Sequence, residues 1–291
     1  MTPLSDNLRG AAFMLASMTA FTLNDACMKA LAGEVPLFQA IFLRSIIVVV
    51  FLGVFAWHTG ALKGRSLPKD RFLIALRTLV EIGAAYLFIS ALFNMPIANV
   101  TAIIQALPLT VSLAGAVFLG EALGWRRLCA IMVGFVGVML IVRPGGDGFS
   151  VYSIYVLLAV ACVTVRDLAA RRMSRSVPTL RVALLAALGV LVFSGVGTFS
   201  SEDWAQVSPS GFAKLSGASL FIIGGYIFSV SAMRSGEIGF VAQFRYSSLL
   251  VAIVIGVLFF GEWPDGLTLI GSAIIVATGL FTLYRERVSA A

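Results

Sequence analysis

The chain has 291 residues, 59% of them apolar and 12% charged, with a mean hydropathy of +1.00. Soluble domains carry about 45–50% apolar and about 25% charged residues, so a water-soluble enzyme is excluded and a polytopic membrane protein is expected. The net charge of +7 then reports orientation in the bilayer, and no nucleic-acid partner is expected.

A polar start with one basic residue, Arg9, precedes a first apolar run. Its basic flank is thin and further apolar segments follow without a break, so it reads as a spanning helix, not a signal peptide. Crossing the hydrocarbon takes about 20 apolar residues. That length places helices at 11–31, 36–57, 73–93, 97–118 and 125–143, then at 151–170, 178–200, 215–233, 238–260 and 266–284. Gly33 with Pro36, Asn94 with Pro96, Pro144-Gly145-Gly146 and Pro264 punctuate the breaks. The connections leave no room for a soluble catalytic or nucleotide-binding domain. The longest, 201–214, carries Glu202, Asp203 and Trp204 and reads as an interfacial loop. Cys27, Cys129 and Cys162 lie in apolar stretches without paired spacing and read as packing residues, so neither a metal site nor a disulfide framework is expected.

The chain is built twice. An apolar run ends in Gly120-Glu121, and a second ends in Gly261-Glu262, 141 residues later. Thr22-Leu23-Asn24-Asp25 is answered by Thr164-Val165-Arg166-Asp167, and Pro36 by Pro178, both 142 residues on. With the N-terminus inside, the cytoplasmic loops hold Arg9, Lys63, Arg65, Lys69, Arg71, Arg126, Arg127, Arg171, Arg172, Arg175, Arg234, Arg285 and Arg287. The outer loops hold only Lys29, Arg143 and Lys214, a split of 13 to 3 that puts both termini in the cytoplasm. Five crossings per half oblige the second half to enter from the opposite face. The expected fold is an all-α integral membrane protein, ten transmembrane helices as two inverted five-helix repeats over 1–146 and 147–291. Such transporters hold substrate at the repeat interface near mid-membrane.

Ionisable groups within predicted helices are costly and usually face the bundle interior or a wet cavity. Arg44, Arg77, Arg166, Arg181 and Arg245 stand against Asp25, Glu81 and Asp167, a surplus of two positive charges. Asp25 with Lys29, and Asp167 with Arg171, are four apart and share a helix face. They fit either helix-end anchors or a gate pair near each membrane face. Arg77 and Glu81 form another same-face pair, open to a structural or a substrate role. Arg44 and Arg245 have no partner four residues away and lie about 12 Å into their helices at 1.5 Å per residue. Arg181 is near enough to its helix start to snorkel. The candidate substrate-binding residues are Asn24, Gln39, Arg44, Arg77, Glu81, Tyr86, Gln105, Arg166, Asp167, Tyr226, Gln243 and Arg245, with Phe38, Phe42, Phe93 and Phe244 as candidate wall.

Ten helices in halves that each end in Gly-Glu before a last helix resemble the EamA family of the drug/metabolite transporter superfamily, over essentially the whole chain. The resemblance implies a secondary carrier with a central cavity between halves and no cofactor. Consistently, no G-x-x-x-x-G-K-[ST] stretch is present. VPLFQAIFLRS (35–45), IIQALPLTVSLAGAVFLGE (103–121) and CVTVRDLAARR (162–172) are similar to passages of bacterial riboflavin transporters, which implies inner-membrane uptake of riboflavin. These passages include Gln39, Arg44, Gln105, Arg166 and Asp167. The arginine surplus favours a neutral or anionic metabolite. The competing class exports amino acids, drugs or metabolites, or carries a cationic cofactor such as S-adenosylmethionine, and it needs an unpaired membrane carboxylate. An enzyme is not expected: His58 is the single histidine, and no H-E-x-x-H or Ser/His arrangement accompanies it. Substrate, direction, coupling ion and oligomeric state stay open, a monomer included.

Overall fold

The computed structural model describes residues 4–62, 67–121, 123–146, 149–174, 176–201, 203–235 and 238–290. Lys63, Arg65, Arg175, Glu202 and the Arg287 side chain, used above for orientation and loop character, lie outside the described residues. The first half comprises α1 (Leu4–Lys29), α2 (Leu37–His58), α3 (Pro68–Asn94), α4 (Ile97–Ile104), α5 (Leu107–Leu119) and α6 (Trp125–Val142). The second comprises α7 (Val151–Arg172), α8 (Thr179–Ser201), α9 (Pro209–Arg234), α10 (Ile238–Val241), a 3₁₀ turn (Ala242–Tyr246), α11 (Ser247–Phe260) and α12 (Gly266–Ala290). No strand occurs among the described residues. Counting α4–α5 and α10–α11 as one span each, ten helices cross. Nine spans among the described residues are long and apolar enough by themselves. The other, α1, has 26 residues but is diluted by Asn24 and Asp25.

Several helices start earlier than the apolar runs suggested. Pro68 and Pro209 sit at the first turns of α3 and α9, where a fixed φ helps and a missing N–H costs nothing. Ser208 caps α9 by accepting from the Gly211 N–H at 3.0 Å, so the expected interfacial loop is shorter than 201–214. Trp57, Trp125, Trp204 and Trp263 are all exposed near helix ends, where an amphipathic ring meets the headgroups.

The continuous helices expected at 97–118 and 238–260 are corrected: both are broken, at equivalent places. In the first, Pro108 at the start of α5 lacks the N–H that would bond the Ile104 carbonyl, and its ring crowds that carbonyl. In the second, no proline is present. There Ser247 and Ser248 donate to the Phe244 and Arg245 carbonyls at 2.7 and 3.1 Å, occupying acceptors that a regular helix would use.

The halves interlock. α1 packs along α9 and α3 along α7, while α2 meets α8 and α6 meets α12. Exchanging the halves maps the first pair onto the second and each of the others onto itself, as a pseudo-two-fold axis requires. α6 and α12 touch at Gly137 and Gly271, where a Cβ on either would stand 2.8 or 2.5 Å from the other's carbonyl oxygen. Only small residues permit that approach. At one end of this pair Asp265 accepts from the Thr268 N–H at 2.8 Å and pairs with Arg143. Partial burial pushes the Asp265 carboxyl up, but these two donors outweigh it and hold it below its usual value.

Candidate functional site

Four charged side chains from three helices lie around Tyr226. This α9 residue lies within electrostatic reach of Glu81 and Arg77 on α3, Arg166 on α7 and Arg44 on α2. It nonetheless keeps 54% of its surface accessible.

Two ionic groups lie within electrostatic reach of Tyr226. Arg166 donates from Nε to Asp167 at 3.0 Å and from Nη1 to both Glu81 oxygens at 3.4 and 3.5 Å. The Arg166 and Glu81 side chains are 26% and 23% accessible, so neither is sealed in the core. In the other group, Asn24 donates to Asp25 at 2.8 Å and accepts from Arg44 at a long 3.5 Å. Arg77 donates to the Val182 carbonyl at 3.4 Å and does not pair with Glu81 along its own helix. Tyr86 stacks on Phe38 with ring centroids 5.3 Å apart, and Phe193 from α8 closes this aromatic cluster. Phe21 packs edge-on against Tyr226 at 5.3 Å.

The structure thus brings together Asn24, Asp25, Arg44, Arg77, Glu81, Arg166, Asp167 and Tyr226. It separates others. Gln39 is fully buried and spends both ends of its amide on the Ala205 backbone, at 2.8 and 2.9 Å, so it fastens α2 to the loop before α9. Gln105 also faces protein: its amide donates to the Arg245 carbonyl at 3.3 Å and to Ser248 Oγ at 3.0 Å. It ties the two helix breaks together. Arg245 is exposed on the 3₁₀ turn and is not among the charges that act on Tyr226. Gln243 is half-buried on the same turn, and Arg181 is half-buried at the start of α8. Of the wall candidates, Phe42 packs on Phe199, Phe244 on Phe240, and Phe93 joins the core. The surplus of two positive charges is therefore absent from this cluster, which holds three arginines and three carboxylates.

The same-helix pairs are also corrected. Lys29 pairs with Glu262 at 2.9 Å and Arg171 with Glu121 at 2.8 Å, while Asp25 turns to Asn24 and Asp167 to Arg166. Each new pair joins the first helix of one half to the Gly-Glu turn of the other, at opposite ends of the bundle. The turns are built alike. Gly120 and Gly261 take φ of +71° and +64°, and the N–H groups of each glycine and of the following Glu both reach back to the Gly115 or Gly256 carbonyl, closing the helix in a left-handed C-cap. Lys29 is 9% accessible, and its ammonium also meets the Leu92 and Met95 carbonyls at the end of α3, at 3.4 and 2.5 Å. Glu262 accepts from the Ile97 N–H at 2.9 Å, at the start of α4. Each charge therefore rests on the helix end of opposite polarity. The Arg171–Glu121 pair is open, at 46% and 47% accessible. Glu121 and Glu262 stood out in the sequence as repeat landmarks, without a role. Their matched spacing with Lys29 and Arg171 was the available signal.

A model described as the EamA-like transporter family matches residues 8–143 and again residues 151–284. The chain belongs to that family. EamA-like proteins similar to it carry different names. An S-adenosylmethionine uptake transporter of Rickettsia felis is 25% identical over 289 residues, 98% of this chain and 95% of that protein. The pseudopaline exporter CntI of Pseudomonas aeruginosa is 27% identical, over 90% of this chain and 91% of its own. A riboflavin transporter of Rhizobium johnstonii is 27% identical over 79% of this chain and 80% of that one. A crystal structure covering 95% of this chain and 98% of its own aligns with a TM-score of 0.65 at 22% identity, a shared fold.

Proposed function

We propose that this EamA-like chain is a secondary carrier of the bacterial inner membrane, not an enzyme, and that it moves a small organic metabolite through a hollow around Tyr226. The observation that carries this reading is the ring of Arg44, Arg77, Glu81 and Arg166 on an accessible tyrosine between the halves. The broken fourth and ninth spans, tied by Gln105, support it, since discontinuous helices at a repeat interface are the usual frame of a carrier site. Arg44, Asn24, Asp25, Arg77, Glu81, Arg166, Asp167 and Tyr226 form the site; Gln39 and Gln105 hold its frame.

With both termini cytoplasmic, as the 13 to 3 loop split supports, the Lys29–Glu262 pair lies at the outer end and Arg171–Glu121 at the inner end. The buried outer pair closes the hollow to the outside, and the open inner pair leaves it facing the cytoplasm. Transport then exchanges which pair is sealed. Uptake by the purified chain in proteoliposomes tests this reading. Arg166→Ala should abolish uptake while the protein stays in the membrane, and undiminished uptake would remove Arg166 from the site.

A second reading makes the cargo riboflavin. The similarity of 35–45, 103–121 and 162–172 to riboflavin transporters and the Phe38–Tyr86 stack, suited to a flat ring, favour it. Expression in a riboflavin auxotroph lacking its own carrier should then permit growth at low external riboflavin. Absence of growth with the protein in the membrane counts against this cargo.

A further inference from the structure

We propose that the cytoplasmic end of the seam between α6 and α12 binds one anionic phospholipid of the inner leaflet, its phosphate on Arg126 and an acyl chain in the groove beside it. This site stands apart from the transport reading and shares with it only the orientation of the chain.

α6 and α12 touch at Gly137 and Gly271. Nearer the start of α6, a cavity of about 400 Å³ lies between them, lined by Trp125, Arg126, Cys129, Ala130, Ala277 and Phe281 among others. Its shape follows from side-chain size. Ala130, Cys129 and Ala277 are too small to fill the seam, while Trp125 and Phe281 stand out from the bundle, 71% and 43% exposed. In a spanning chain this outward apolar face meets lipid, and an acyl chain restores the contacts that an empty groove forfeits.

Arg126 is the one charged residue of the lining. Its guanidinium lies over the Trp125 ring, 5.4 Å from the centroid, and among the described residues it pairs with no carboxylate. Glu121, five residues before it, is already held by Arg171. The planar fork of an arginine fits two phosphate oxygens at once. Arg127 follows directly in the chain, and Arg285 comes one turn after Phe281 on α12, so the same end gathers positive charge. Basic pockets between helices on the cytoplasmic side suit the anionic head groups of that leaflet.

The repeat sharpens the point. α6 starts on Trp125 and α12 on Gly266, so the 141-residue offset puts Gly266 and Leu267 where the first half has Trp125 and Arg126. At the other end of the seam the cation is Arg143, and Asp265 takes it. The duplicated fold therefore does not require the Trp125–Arg126 pair, whereas a ligand confined to one leaflet does.

The test uses the full-length chain with Trp57, Trp204 and Trp263 replaced by phenylalanine, so that fluorescence reports Trp125 alone. The protein is reconstituted in phosphatidylcholine vesicles with rising fractions of phosphatidylglycerol brominated on its acyl chains, or of brominated phosphatidylcholine. The anionic lipid should quench Trp125 at a mole fraction at least about fivefold lower, the worth of one favourable cationic contact. Arg126→Gln should bring the two curves together, and so should Ala277→Phe, which fills the groove and keeps the arginine. Equal quenching by both lipids in the parent protein overturns the proposal. A preference that survives either substitution overturns it too, because it then belongs to the general positive charge of the inner loops. Quenching by neither lipid would mean that a second copy of the chain covers the groove, which also overturns it. The parent comparison needs no groove variant, so misfolding of one does not shield the proposal. Trp125 reports the lipid beside it whichever way the chain inserts, so failure here leaves the transport reading standing.

Discussion

Lys29 Nζ lies 2.9 Å from Glu262 Oε1, joining the first helix of one half to the turn after the ninth span of the other. Arg171 and Glu121 repeat the bond at 2.8 Å with the halves exchanged. Each half thus holds the other at one end of the bundle. The buried pair also satisfies backbone that the bilayer cannot: Lys29 takes the last carbonyls of α3, and Glu262 takes the first N–H of α4.

The two pairs should differ in worth. Glu262→Gln leaves a largely buried ammonium without its counter-charge and should cost about 3 kcal/mol, whereas the open pair lost in Glu121→Gln should cost under about 1 kcal/mol. Thermal denaturation of both variants in one detergent measures the difference. Equal losses would mean that the outer pair is no more sealed than the inner.

Gln105 fastens the two helix breaks to each other. Gln105→Ala removes its bonds to the Arg245 carbonyl and to Ser248 and should destabilise the fold by about 1–3 kcal/mol. Transport should fall more than this loss of folded protein explains, because the breaks would no longer move as a unit. Uptake normalised to correctly folded protein in the membrane makes the comparison.

Glu81 and Asp167 both lean on Arg166. Arg166→Gln strands two carboxylates, so uptake should fall by more than about tenfold, and Glu81→Gln should hurt less because Asp167 still holds Arg166. Uptake by the two single variants and the double variant gives the coupling. Additive effects would dissolve the cluster.

Asp265 titrates outside the spans. Its carboxyl is held below the usual value, so its contribution to stability is fully present above the unfolded pKa and fades as pH falls through the folded one. The wild-type advantage over Asp265→Asn should be present at neutral pH and vanish on acidification below 3.8, the ordinary value. Melting curves across that range check the sign.

Much of the architecture was legible because a bilayer leaves few choices. Apolar runs of fixed length became the spans, and the Gly-Glu echo placed the halves. The breaks were less visible. Pro108 marks the first, but the second has no proline and depends on the serines at 247 and 248 bonding back to their own turn. The charged candidates were legible as costly residues, while their partners were not. Spacing along one helix suggested Asp25 for Lys29, and packing between halves supplied Glu262 instead. Gln39 and Gln105 looked like cavity lining because a buried amide reads the same whether a ligand or a backbone satisfies it.

The central claim is that Tyr226 faces a wet hollow between the halves and not lipid. A Tyr226→Cys variant, in a background with Cys27, Cys129 and Cys162 replaced, can be exposed to a membrane-impermeant maleimide in inside-out vesicles. The account predicts labelling from the cytoplasmic side, slowed when a transported substrate is present. Labelling only by a lipid-soluble reagent, indifferent to any substrate, would contradict it.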